Sequence, residues 1–151
     1  MDNLLEGAHA NFPGVKFKGP WVNIWGQPQI GPGTEIGAFV EIVDDVIIGT
    51  NCKIGAYSFL CPGVRIGENV FIGPRVTFLN DRYPPSPAYR WQHIHVGNRA
   101  VIGAGAILLS GVTIGESATI GAGAVVVGDV VKGRWWIGNP AKPAGETVLC
   151  L

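Results

Sequence analysis

The sequence predicts an all-β fold, a parallel β-helix of hexapeptide repeats, on three observations. A bulky apolar residue stands at every sixth place from Ile24 through Ile30, Ile36, Ile42, Ile48, Ile54, Leu60, Ile66 and Ile72 to Phe78. The series resumes from Val96 through Ile102, Leu108, Ile114 and Ile120 to Val126. Two places before each comes a second, usually smaller, inward residue, such as Val40, Cys52, Ser58, Val76, Ala106 or Ala124; Pro28 and Ile94 fit this place least well. Glycine follows the apolar residue at two corners of every three, and an apolar residue (Trp25, Val43, Cys61, Leu79, Leu109, Val127) follows at the third. A period of six is neither the 3.6 of a helix nor the alternation of an ordinary strand. One coil is therefore eighteen residues with three faces, and glycine is expected at corners for its backbone freedom.

Each element follows in order within a single domain, 1–151. Residues 1–20 lie outside the register, and Phe12, Pro13, Val15 and Phe17 are expected to cap the first coil, which would otherwise expose its strand edges. The β-helix itself is expected over 22–130, about five coils. Seventeen residues separate Phe78 from Val96 where five are normal, so twelve extra residues are extruded as a loop, 80–93, without disturbing the phase. From Val131 the chain is expected to leave the helix through Trp135, Trp136, Asn139, Pro140 and Lys142, a short C-terminal extension over 131–151.

Composition narrows the function. The chain has 151 residues, 47% of them apolar, enough for a continuous core. Eleven basic residues balance eleven acidic ones, which argues against nucleic-acid or membrane-surface binding driven by net charge. There is no apolar run of membrane-spanning length and no signal-peptide pattern, so a cytoplasmic location is expected. Cys52, Cys61 and Cys150 have no metal-ligand spacing and read as structural. Several outward positions are apolar (Phe39, Ile47, Phe59, Phe71, Val101, Ile107, Val125), which points to burial against other copies, and a three-faced prism favours threefold association.

The loop carries the chemistry. Long loops on rigid scaffolds concentrate function. Arg82, Tyr83, Arg90 and Trp91 suit an anionic ligand with a ring, the guanidinium for phosphate and the aromatic face for base or sugar. The same side chains would also serve to pack the loop on a neighbouring subunit. Asn80 and Asp81 share register places with Ser110 and Gly111 one coil on. His93 and His95 flank the inward Ile94, so both point outward, beside Gly63 and Arg65 on one side and Gly111 and Thr113 on the other. An exposed histidine near a carboxylate suits a general base. A zinc pair is the competing use, but a third histidine is required and His9 lies in the cap, so no metal is expected.

The repeats, the segment Glu68–Phe78, the run Asn80-Asp81-Arg82-Tyr83-Pro84, the run Ile120–Val126 and the exit Gly138–Lys142 resemble the sugar-nucleotide N-acetyltransferases of the left-handed β-helix acyltransferase superfamily. Left-handed winding is implied by that resemblance alone, since most parallel crossovers are right-handed. It further implies acetyl-CoA as co-substrate, a nucleotide-linked amino sugar as acceptor in surface polysaccharide precursor synthesis, and a homotrimer with sites between subunits. Pantetheine would lie against backbone amides near Ala104, Gly111 and Ala122, with Asn139 and Lys142 by the nucleotide end of CoA. Asn80 would position the amine and Asp81 support it, while His93 and His95 are candidate bases. Val131-Lys132 and Trp135-Trp136 depart from the relatives' usual residues, as does Pro85-Ser86 in the loop. An O-acetyltransferase acting on a free sugar or small hydroxyl acceptor, a γ-carbonic-anhydrase-like enzyme and a non-catalytic β-helix are the other readings of the same repeats.

Overall fold

The computed structural model describes residues 11–86 and 92–144. Short strands stack into three parallel faces around one core, wound as a left-handed β-helix. The first face stacks Lys16–Phe17, Glu35–Ile36, Lys53–Ile54, Phe71–Ile72, Val101–Ile102, Thr119–Ile120 and Trp135–Ile137. The second stacks Asn23–Ile24, Glu41–Ile42, Phe59–Leu60, Thr77–Phe78, Ile107–Leu108 and Val125–Val126. The third stacks Gln29–Ile30, Ile47–Ile48, Val64–Ile66, Ile94–Val96 and Thr113–Ile114.

Register follows the sequence period. Ile42 pairs with Leu60 and Ile48 with Ile66, eighteen places on. Across the loop Phe78 pairs with Leu108 and Ile66 with Val96, thirty places on, so the insertion is twelve residues and the coils close beneath it. Both inward columns are buried from Ile36 to Val126, Ile94 included, and Pro28 is buried in its place as well. Inward hydroxyls are satisfied by neighbouring coils: Thr34 Oγ1 donates to the Gly49 carbonyl (2.9 Å), and Ser58 Oγ to that of Gly73 (3.1 Å). Left unpaired, such groups would cost about 1–3 kcal/mol each.

The winding extends past both expected ends of the 22–130 segment, to about six turns. Phe17 pairs with Ile36, nineteen places on, so the cap contributes a strand while Phe12, Val15 and Phe17 cover the first coil. Beyond Val126 the coil is shortened by two residues: Val130 bridges Ile114, and Trp136 pairs with Ile120, both sixteen places on. These slips put the terminal strands out of phase with the six-residue series. The Trp135-Trp136 pair thereby finds a role, because Trp136 takes the inward place and packs on the core at the end of the stack. Lys142–Pro143 then turns back antiparallel on Trp135–Ile137 and covers that strand's edge.

The corner glycines are there for a different reason than expected. Residues such as Gly55 and Gly103 do not carry the left-handed backbone; a Cβ on either would lie 2.4 Å from a backbone nitrogen of the next coil. Positive φ falls two places later, on Phe39 (58°), Asn51 (55°), Tyr57 (62°) or Arg75 (59°). Glycine here is a condition of close coil stacking. The core can be tested at Phe78, the largest fully buried side chain among the described residues. Phe78→Ala should lower stability in urea unfolding by about 3–5 kcal/mol; a loss below about 1 kcal/mol would mean a loosely packed interior.

Candidate functional site

The loop leaves the second face after Leu79 and rejoins the third at Ile94. Asp81 ties its first turn together, accepting the amide N–H groups of Tyr83 (3.0 Å) and Ser86 (3.1 Å) and the Ser86 hydroxyl. The Ser86 hydroxyl first, and then these amides, hold the Asp81 carboxyl below its ordinary range. Arg82 reaches across two coils, donating to the carbonyls of Ser110 (3.1 Å) and Val127. Ser110 Oγ donates in turn to the Gln92 carbonyl at the loop's far foot (3.3 Å). Asp81, expected at the acceptor, thus folds the loop's first turn on itself, and Arg82, expected there too, fastens the loop to the scaffold. Asn80 makes no side-chain hydrogen bond among the described residues, and Tyr83 is 77% exposed, so both remain available to a ligand. Arg90 and Trp91 lie outside the described residues.

His93 and His95 point outward as expected, with ring centroids 6.0 Å apart. His95 sits in register between Arg65 and Thr113. A shallow groove of about 420 Å³ runs along this face, lined by Arg65, His95, Thr113 and Glu116. His93 faces Asp45, with Nε2 4.0 Å from Oδ2, and the other carboxylate oxygen holds Arg65 at 2.6 Å. Sequence reading missed Asp45, although the signal was present. Asp45, Gly63 and His93 occupy one register place on three successive coils, and the glycine between them leaves room for the pair. Even so, a Cβ on Gly63 would lie only 3.1 Å from His93 Cδ2.

The expected cofactor residues separate into two groups. Ala104 and Ala122 lie on the edge between first and second faces, in stacked corners: Gly103 meets Ala122, and the Gly123 amide donates to the Ala104 carbonyl (2.8 Å). The exit continues this edge, because the Val125 amide donates to Gly138 and the Ala141 amide to Val125, framing Asn139; Lys142 is exposed beyond it. Gly111 lies instead on the loop's edge, against Gln92. One chain therefore does not bring Gly111 into line with Ala104 and Ala122. Burial raises the thiols of Cys52 and, to about 12, Cys61, so neither is poised as a nucleophile. No group of three or more His, Cys, Asp or Glu among the described residues is placed to hold a metal ion.

With this geometry in hand, the chain can be compared with known proteins. The bacterial transferase hexapeptide (six repeats) family matches residues 27–62, 51–80 and 93–128, more than half of the chain. The chain belongs to that family. A search of the curated proteins finds no match. Among solved structures, the acetyltransferase domain of PglB from Neisseria gonorrhoeae is similar at 24% identity and a TM-score of 0.75, over 93% of this chain and 63% of that one; it has also been solved with acetyl coenzyme A. A mutant of AntD, an N-acyltransferase from Bacillus cereus in complex with dTDP and coenzyme A, is similar at 21% identity and 0.79, over 92% and 87%. A mutant of the GDP-perosamine N-acetyltransferase of Caulobacter crescentus, solved with CoA and GDP-perosamine, is similar at 28% and 0.57, over 89% and 55%. The chain thus spans less than two thirds of the PglB domain and little more than half of the Caulobacter protein.

The loop's fastening gives a direct test. Asp81→Ala should speed amide hydrogen exchange at Tyr83 and Ser86 while leaving exchange in the core strands unchanged. In the parent protein the low carboxyl keeps this turn intact above the ordinary aspartate range, and protection should fall only as pH drops through the lowered value. Unchanged exchange at Tyr83 and Ser86 would show that Asp81 does not hold the turn.

Proposed function

We propose that the protein is an acetyl-CoA-dependent N-acetyltransferase acting on the amino group of a nucleotide-linked amino sugar, in the supply of surface polysaccharide precursors. The observation that carries this reading is the Asp45–His93 pair at the loop's far foot, with Asn80 at its near foot making no side-chain hydrogen bond among the described residues. The acetyl-CoA, CoA, dTDP and GDP-perosamine in the similar structures support the same chemistry. In this reading the protein works in the cytoplasm and takes neither nucleic acid nor a membrane surface, in keeping with its balance of basic and acidic residues; no helix among the described residues is long and apolar enough to cross a membrane.

A homotrimer resolves the separation of the cofactor residues. The Ala104–Ala122 edge of one copy would face the loop edge of the next, bringing Gly111, Asn80 and His93 of the neighbour to the acyl donor. The exposed Phe71 and Val101 and the half-buried Phe59, Ile107 and Val125 give the subunits apolar surface for that packing.

The reaction is direct transfer. Asn80 orients the neutral amine, whose lone pair attacks the thioester carbonyl carbon. Outward backbone N–H groups steady the oxyanion. The C–N bond forms and the C–S bond breaks, and the sulfur leaves as thiolate. His93, with Asp45 beside it, takes the amine's proton and returns it to the sulfur. His95 and Arg65 frame the approach on the third face, and Tyr83, Arg90 and Trp91 contact the acceptor.

The test is thiol release from acetyl-CoA with uridine- and thymidine-linked amino sugars, against free sugars and small hydroxyl compounds. Turnover confined to nucleotide-linked amines is expected. His93→Ala should lower kcat by about 10²-fold, and Asn80→Ala should lower kcat with acetyl-CoA binding retained. Turnover of free hydroxyl acceptors alone would assign an O-acetyltransferase, and no turnover or acetyl-CoA binding at all would remove the enzyme reading.

A further inference from the structure

The edge between first and second faces changes character along its length. Its third corner place is left-handed on six successive coils: Trp21 (62°), Phe39 (58°), Tyr57 (62°), Arg75 (59°), Gly105 (70°) and Gly123 (69°). Bulky side chains rarely take this conformation, which costs about 1–2 kcal/mol per residue. The corresponding places between third and first faces hold smaller or polar residues, including Gly33, Asn51, Asn69 and Ser117. Here three aromatic residues stand in line and remain 57%, 44% and 55% exposed. Phe39 and Tyr57 stack with centroids 4.8 Å apart and planes 9° from parallel. The Arg75 guanidinium lies 5.9 Å over the Tyr57 ring. Arg75 itself is exposed and pairs with no carboxylate among the described residues.

We propose that this aromatic column, with Arg75 at its foot, binds the nucleoside diphosphate of the acceptor. The proposal rests on the N-acetyltransferase reading above. Phe39 and Tyr57 each cover a face of the other, so they offer edges, against which a nucleobase packs edge-to-face. Arg75, with its guanidinium over Tyr57, presents a fork of N–H donors to the diphosphate. Stacked coils are about 4.8 Å apart, so the four side chains span a nucleotide-sized stretch of the edge. Donor and acceptor then divide one edge. The acyl donor takes the coils of Ala104 and Ala122, and the nucleotide takes those of Arg75, Tyr57 and Phe39, so the sugar amine and the thioester meet at the junction.

The test uses Arg75→Gly, which keeps the left-handed backbone, and Arg75→Lys, which keeps the charge without the planar fork. Binding of uridine diphosphate and thymidine diphosphate is measured by calorimetry, alongside KM for both substrates, melting temperature and sedimentation. We expect Arg75→Gly to weaken diphosphate binding and raise the acceptor KM by at least about tenfold. Arg75→Lys should fall between it and the parent. KM for acetyl-CoA, melting temperature and oligomeric state should hold. Unchanged diphosphate binding, or a rise confined to the acetyl-CoA KM, would overturn the proposal while leaving the acetyltransferase reading standing. Diphosphate binding lost only together with the oligomer would overturn it as well, by assigning Arg75 to holding copies together. Turnover of free amino sugars alone would instead remove the reading on which it rests.

Discussion

Successive coils of this protein approach until backbone touches backbone, and everything else in the molecule is arranged around that spacing. At the first residue of most corners there is no room for even a methyl group: a Cβ on Gly73 would lie 2.6 Å from the Ala104 nitrogen, and one on Gly115 2.4 Å from that of Lys132. Glycine at these places lets the strands hydrogen-bond continuously around the prism. The inward columns then fill the interior. The cost is displaced two residues along, where the chain must turn through positive φ, and there the side chains vary with what each edge does.

Because coils superpose, a side chain's neighbours in space are set by register more than by local sequence. Asp45 meets His93 across Gly63, although the two are far apart along the chain. Arg82 likewise caps carbonyls on each of the next two coils, making the loop a fixed projection of the scaffold. A rigid stack of this kind is suited to holding two extended substrates along its edges, because it positions reacting groups with little reorganisation. It also separates functions cleanly: one edge bears the loop and the histidines, and another bears the aromatic column and the bare corners of Ala104 and Ala122. In the proposed function a single copy holds the parts of the site without assembling them.

Much of this was legible in the sequence, because the repeat is a physical ruler. The period located the faces, the inward columns, the twelve-residue loop and the outward setting of His93 and His95. Reading failed where the ruler slips, at Phe17 by one residue and at Val130 and Trp136 by two. The roles of Asp81 and Arg82 were hidden for another reason. Nothing in a loop's composition says whether a carboxylate or guanidinium turns toward a ligand or back onto the chain, and here both turn back. Gly111 was grouped with Ala104 and Ala122 by the resemblance alone, but the corners are different ones. Asp45 was overlooked because its partner lies two coils away.

In the proposed trimer, two edges from different copies complete one site, and a crystal structure of the protein with coenzyme A would reveal whether they do. Threefold-related copies are expected, with the pantetheine crossing the Ala104 and Ala122 coils of one copy and its sulfur within roughly hydrogen-bonding reach of the neighbour's loop foot, at His93 and Asn80. Coenzyme A bound wholly within one copy, or with its sulfur remote from every His93, would contradict it.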